Sequence, residues 1–158
     1  MIHYTATFIG HRECPDLDRS RISEQVKNLI DAGYDKFLCG GMGQFDWLCA
    51  KCVSELKSEF PHIKSHLIIP YLNFNTQNIS YFDEIIYPVC ISNYHFKSAI
   101  LQRNKYLVNS SDAAICYINH DSGGAAVTYE LAIKKGLLTV NLGSYEGTPS
   151  VSSHSTFL

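Results

Sequence analysis

The sequence predicts an α/β fold, a doubly wound, mostly parallel sheet of about six strands with helices on both faces. Three observations carry this. Apolar runs rich in β-branched and aromatic residues alternate along the chain with runs of helical periodicity. Two glycine-rich segments, Gly40-Gly41-Met42-Gly43-Gln44-Phe45-Asp46 and Ser122-Gly123-Gly124-Ala125-Ala126, each follow a strand-like run and precede a helix-like one. The 158 residues, 46% hydrophobic and 18% charged, suffice for one packed core and not for two. A single domain over residues 1–158 is therefore expected.

Taken in order, Tyr4 to Ile9 reads as the first strand, Ser20 to Asp31 as a helix stopped by Gly33, and Lys36 to Cys39 as the second strand. Gln44 to Glu59 reads as a helix closed by Pro61, and Lys64 to Ile69 as a third strand stopped by Pro70. A polar loop over Asn73 to Asn78 precedes a short helix at Tyr81 to Ile85 and a fourth strand near Ile86 to Val89. Ser98 to Asn109 has helical spacing, Ala113 to Ile118 is the fifth strand, Val127 to Lys135 a helix ending at Gly136, and Leu138 to Asn141 the sixth strand. Residues 143–158, rich in Ser, Thr and Gly, read as a loosely held tail or one ordered by a partner chain.

In sheets of this kind ligands bind beyond the carboxyl ends of the strands, and the chemically suggestive residues fall on that edge. Gly10-His11-Arg12 follows the first strand, the Gly40, Gly41, Gly43 segment the second, and Ser122, Gly123, Gly124 and Thr128 the fifth, while Arg103 and Asn104 lie in the helix before it. Glycine turns let the backbone approach an anion, and a helix starting there aims free N–H groups at the same spot. Arg12 and Arg103 supply forked donors for phosphate or carboxylate. Asp46, Asn104 and Glu130 supply acceptors for ribose hydroxyls. Blander roles fit some of these residues equally: His11 as a turn cap, Asp46 as an acid favoured by a helix N-terminus, and Phe45, Trp47 and Tyr129 as packing anchors. Tyr71, Phe74 and Tyr94 lie in loops beside the expected cleft, where one could stack on a base.

A net charge of -2 argues against non-specific binding to nucleic acid or an anionic membrane. No segment reaches the length of a membrane span, and the N-terminus lacks a secretory pattern, so the chain is expected in the cytoplasm. Six cysteines lie mostly inside strand or helix patterns and read as buried free thiols. Cys49 and Cys52 have redox or zinc spacing, but no second ligand pair stands near, so neither a metal nor a cofactor is expected.

The early G-H-R turn, the G-G-x-x-G-x-D loop, the R-N-K-Y-L-V-x-x-S-D-A passage and the G-G-x-x-x-T-x-E loop, in that order from about Tyr4 to Asn141, resemble the SLOG superfamily, most closely its bacterial YpsA-like branch. The resemblance implies a Rossmann-like fold and a nucleotide or ADP-ribose-type ligand. It embraces LOG phosphoribohydrolases, which cleave the N-glycosidic bond of nucleoside 5′-monophosphates, DprA DNA-processing proteins, and sensors of nucleotide or cyclic ADP-ribose signals in phage defence. By the same resemblance Arg103 and Glu130 match the LOG catalytic pair. The loop departs from the LOG pattern: Asp121-Ser122 stands where that pattern has proline, and Ala126 and Val127 replace its second glycine and threonine, with Thr128 one position later.

Three functions follow. Sensing or sequestering a nucleotide-type ligand, in defence or anti-defence, is slightly favoured by the altered loop. In the LOG-like alternative Glu130 would stabilise an oxocarbenium-like ribosyl transition state or activate water, and Arg103 would orient the phosphate. DprA-like binding of single-stranded DNA ranks last on charge. Arg103→Ala is expected to abolish affinity for phosphorylated ligands and leave thermal stability nearly unchanged, a large stability loss marking Arg103 instead as an architectural ion-pair partner. The resemblance further implies a homo-oligomer, dimer or larger, for which the helix bearing Trp47 is the candidate interface.

Overall fold

The computed structural model describes residues 2–76 and 78–146. Its six strands are β1 (Tyr4–Gly10), β2 (Tyr34–Cys39), β3 (Lys64–Ile68), β4 (Glu84–Ile86), β5 (Ala113–Tyr117) and β6 (Leu138–Asn141). They form one sheet in the order β4-β3-β2-β1-β5-β6 with every pairing parallel. Four helices, α1 (Arg19–Asp31), α2 (Gln44–Leu56), α3 (Phe96–Asn109) and α4 (Gly124–Lys134), complete the Rossmann-like α/β architecture. Strand order reverses between β1 and β5, which leaves a crevice at their carboxyl ends.

Successive strand residues point to opposite faces, and the two cores divide accordingly. Phe8, Phe37, Cys39 and Ile115 pack under α1 and α2 with Val26, Phe45 and Val53. On the other face Ile9, Ala114 and Cys116 pack with Val108, Tyr129 and Ala132, and Leu38 and Ile68 pack with Leu107 of α3. A sheet covered on both sides needs near-continuous apolar strands, as Ala113–Tyr117 shows by being buried at every position.

The differences from sequence expectation lie around β4. In place of a helix at 81–85 there is one 3-10 turn at Ile79–Tyr81, followed at once by the strand. Asp83 enforces this: its backbone N–H donates to the carbonyl of Ser65, its carboxylate accepts from the Ser65 N–H at 2.8 Å, and it pairs with Lys57. The strand runs Glu84–Ile86 and not 86–89, because Pro88 offers no ladder N–H and a second 3-10 turn takes Val89–Ile91.

Trp47, expected at an interface, is half-buried with its ring edge-on to Phe82 at 5.9 Å, and α2 packs against both the sheet and α1. Residues 143–146 open the segment expected to be a loose tail, yet Gly143 N–H donates to Asn141 Oδ1 at 2.9 Å and Tyr145 N–H to the carbonyl of Ile118. The remainder, 147–158, lies outside the described residues. No helix among those described is long and apolar enough to cross a membrane.

Candidate functional site

A cavity of about 700 Å³ opens at the β1/β5 crevice. From β1 and the loop after it come Gly10, His11, Arg12 and Glu13; Gly40, Met42 and Asp46 come from the end of β2 and α2; Arg103 and Asn104 come from α3. The β5–α4 turn closes the ring with His120, Ser122, Gly123 and Gly124, and Thr128 stands behind it on α4. Most of the residues named from sequence therefore converge. Gly41, Gly43 and Glu130 are not among the lining residues, nor are Tyr71, Phe74 and Tyr94.

The two glycine turns share one geometry. Gly43 (φ 96, ψ 174) precedes α2 and Gly123 (φ 91, ψ 173) precedes α4 in almost the same left-handed conformation, and neither helix has a side-chain cap. Their surroundings differ. A Cβ on Gly43 would lie 2.7 Å from the Arg12 Cα, one on Gly41 2.7 Å from Leu67 Cδ1, and one on Gly40 3.2 Å from the Arg103 guanidinium carbon. The first turn's amides are also engaged, Met42 N–H with Asp46 Oδ2 at 2.9 Å and Gln44 N–H with the Arg12 carbonyl at 2.7 Å. At Gly123 and Gly124, by contrast, an added Cβ would meet nothing within 4 Å. Close protein packing explains the first set of glycines, and open space borders the second.

Arg103 is 2% exposed and acts as a clamp. Its Nη1 donates to the carbonyl of Gly40 at 2.7 Å and to that of Ile68 at 2.9 Å, and its Nε to Asn104 Oδ1 at 2.9 Å. Among the described residues only the Met42 thioether, a weak acceptor, faces Nη2. The expectation that Arg103→Ala leaves thermal stability nearly unchanged does not fit this geometry, because Nη1 holds the ends of β2 and β3 to α3. Arg12 is the exposed counterpart, its guanidinium free of hydrogen bonds to other described residues.

Asp46, 8% exposed, carries a carboxyl that burial pushes up to about 6, against the pull of the Met42 N–H, Arg103 and Arg12. Thr128 donates its hydroxyl to the Gly124 carbonyl at 2.8 Å and so spends its proton inside α4. Glu130 sits half-buried, two residues further on.

Sequence reasoning missed His120. Its ring stacks on that of His11 with centroids 3.8 Å apart and planes inclined by 10°. The signal was present: His120 follows β5 as His11 follows β1, and those strands flank the point where the order reverses. Two other histidines have ordinary roles, His66 beside Glu84 and His95 capping α3 through Nδ1. All six cysteines are free, five of them buried, and burial pushes the thiols of Cys49 and Cys52 up.

The model of the family described as YpsA, the YspA SLOG family, matches residues 16–139. The chain belongs to this SLOG family. A relative, UPF0398 protein BH1768 of Halalkalibacterium halodurans, is 24% identical over 127 residues, 74% of this chain and 67% of its own length. Among solved structures, DNA processing protein A from Helicobacter pylori, described for its single-stranded DNA binding mode, superposes with TM-score 0.64 at 16% identity over 91% of this chain and 67% of its own. DprA from Streptococcus pneumoniae gives 0.62 at 15%, over 96% of this chain, which spans only 54% of the pneumococcal one. The molybdenum cofactor carrier protein of Chlamydomonas reinhardtii gives 0.54 at 13%, over 89% and 76%. These likenesses establish a shared SLOG-type fold.

Proposed function

We propose that this SLOG chain binds a nucleotide or ADP-ribose-type small molecule at the β1/β5 crevice and holds it without turnover, as a sensor or sequestering protein does. The observation that supports this is the open Ser122–Gly124 turn: a glycine turn at a helix N-terminus, bordering a cavity of about 700 Å³ at the strand-order reversal. The ligand's phosphate sits against that turn, with the free guanidinium of Arg12 across from it. Asn104 and Asp46 also line the cavity, as partners for ribose hydroxyls. The order of motifs, shared with superfamily members that bind such ligands, favours this class.

Binding is favoured over hydrolysis because Glu130 does not line the cavity and Arg103 is engaged with backbone carbonyls. Incubation with AMP-type nucleotides, NAD, ADP-ribose and cyclic ADP-ribose isomers, followed by chromatography of free and heat-released fractions, tests the reading. Intact ligand recovered after heating supports it. Release of free base that depends on Glu130 would replace it with the LOG-like hydrolase, and retention of none of the compounds would remove it.

A second reading has one specific support, the fold shared with two DprA structures, one of them described for its single-stranded DNA binding. Outside the cavity Tyr71 packs against Phe96 at 4.7 Å and Phe74 at 5.8 Å, the kind of aromatic surface on which unpaired bases stack. Oligodeoxynucleotides belong in the same panel, and their preferential retention would favour this role.

A further inference from the structure

We infer that His11 and His120 form a proton-coupled subsite that takes the terminal phosphate of a phosphomonoester, gaining one proton from solvent as the dianion binds. The inference deepens the nucleotide reading above and rests on it.

The fold delivers the pair. Gly10 and Tyr117 are partners in the parallel β1–β5 ladder, and the His11 N–H extends that ladder to the Tyr117 carbonyl at 3.2 Å. The two strands therefore release their chains side by side at the crevice. The imidazoles stack face to face at 3.8 Å, and both line the cavity. His11 is 9% exposed, yet its Nε2 has no hydrogen-bond partner among the described residues. An orphaned buried polar atom beside an open glycine turn is a place where a ligand oxygen satisfies the protein. On the other ring, His120 Nδ1 contacts Ser122 Oγ at 3.0 Å, which ties the pair to that turn.

Charge completes the argument. The ionisable groups sharing the cavity are Arg12 and Glu13 from the loop bearing His11, Asp46 from α2 and Arg103 from α3; α4 contributes none, and Asp121 is exposed beside His120. Two cations thus face two anions, and a phosphate dianion enters a cavity with no formal positive excess while the imidazoles are neutral. In the empty site the His11 ring stays neutral. Burial holds the His11 ring below the usual imidazole range, and its stacked neighbour adds to the effect against an opposing contact with the His120 backbone. Parallel rings this close resist carrying two charges, so no more than one proton enters with the ligand. The bound dianion stabilises that single charge. A phosphodiester, with one charge fewer, stabilises it less.

The test is calorimetric titration of the protein with AMP and with the methyl phosphodiester of AMP, between pH 7 and 8.5, where the monoester is essentially fully ionised. Each titration is run in buffers of different ionisation enthalpy so that proton uptake is counted. Expected are uptake approaching one proton for AMP, an affinity falling up to tenfold per pH unit, and weaker binding of the diester without uptake. His120→Asn, at an exposed position, should keep the melting temperature and weaken AMP binding, and with His11→Asn added the uptake should vanish and AMP fall to the diester's affinity. AMP binding without proton uptake, or unchanged uptake in the variant lacking both histidines, overturns the subsite. Binding of ADP-ribose without binding of AMP also overturns it while the nucleotide reading stands, and binding of neither removes both.

Discussion

The guanidinium of Arg103 donates to the carbonyl of Gly40 at 2.7 Å, and the same nitrogen reaches Ile68 at 2.9 Å, so one buried side chain of α3 holds the carboxyl ends of two neighbouring strands. Removing it leaves two buried carbonyls without their donor and Asp46 without its stronger compensating charge. Each unmet group costs about 1–3 kcal/mol, so Arg103→Ala should lower unfolding stability by roughly 3 kcal/mol or more. Arg103→Lys should recover only part, since an ammonium lacks the planar fork. Chemical denaturation measures both, and an unchanged midpoint for the alanine variant would contradict the clamp.

The glycines separate into two kinds by what borders them, and a pair of alanine substitutions tells them apart. At Gly10 the new Cβ would lie 2.2 Å from the Phe45 ring, itself fully buried, so Gly10→Ala should cost about 1–3 kcal/mol through overpacking. At Gly124 the Cβ meets nothing, the residue begins α4 and its φ is not left-handed, so Gly124→Ala should match or exceed wild-type stability by up to about 1 kcal/mol. The same methyl stands where a phosphate approaches the backbone. Loss of nucleotide affinity in Gly124→Ala with no loss of melting temperature is the expected combination; full affinity would move the phosphate elsewhere.

The fold was legible because its signals are local and repeated: apolar strands alternating with helices allow few arrangements, and Gly33 and Gly136 stop their helices with positive φ as their positions suggest. What stayed hidden depended on partners distant in sequence. Tyr81–Ile85 has the composition of a short helix, but Asp83 pairs with Ser65 and Lys57 and pulls the segment into the sheet. Arg103 looks like any cleft arginine until its acceptors, at Gly40 and Ile68, are brought under it. His120 carries no motif of its own and becomes conspicuous only once β5 lies beside β1.

Glu130 provides a clean discriminator between binding and hydrolysis. It is half-buried on α4 and does not line the cavity, so Glu130→Gln should bind a retained nucleotide within about twofold of wild type, an energy difference of roughly 0.4 kcal/mol. Equilibrium dialysis or calorimetry reads this directly. A large loss of affinity, or turnover in wild type that vanishes in the variant, would bring Glu130 into the site.

Asp46 gives the protein a pH dependence of unusual sign for a carboxylate. Its folded pKa, pushed up to about 6 by burial, lies above the unfolded value of 3.8, so the native state holds the proton more tightly between those limits. The stability linked to that proton is fully present below about pH 4 and is lost as pH rises through about 6, a change on the order of 3 kcal/mol. His11 works in the opposite sense: its folded pKa is lowered, so stability falls as pH drops below its unfolded value of 6.5. The two are separated by comparing wild type with Asp46→Asn, which retains an oxygen for the Met42 N–H and has no proton to lose. Across pH 4 to 7 the difference between the two proteins should shift in favour of the asparagine variant, while the His11 contribution cancels. A carboxyl carbon resonance of Asp46 titrating near pH 6 would accompany that shift. A midpoint near 4, with parallel stability curves, would mean that water or Arg12 reaches the carboxylate and relieves its burial.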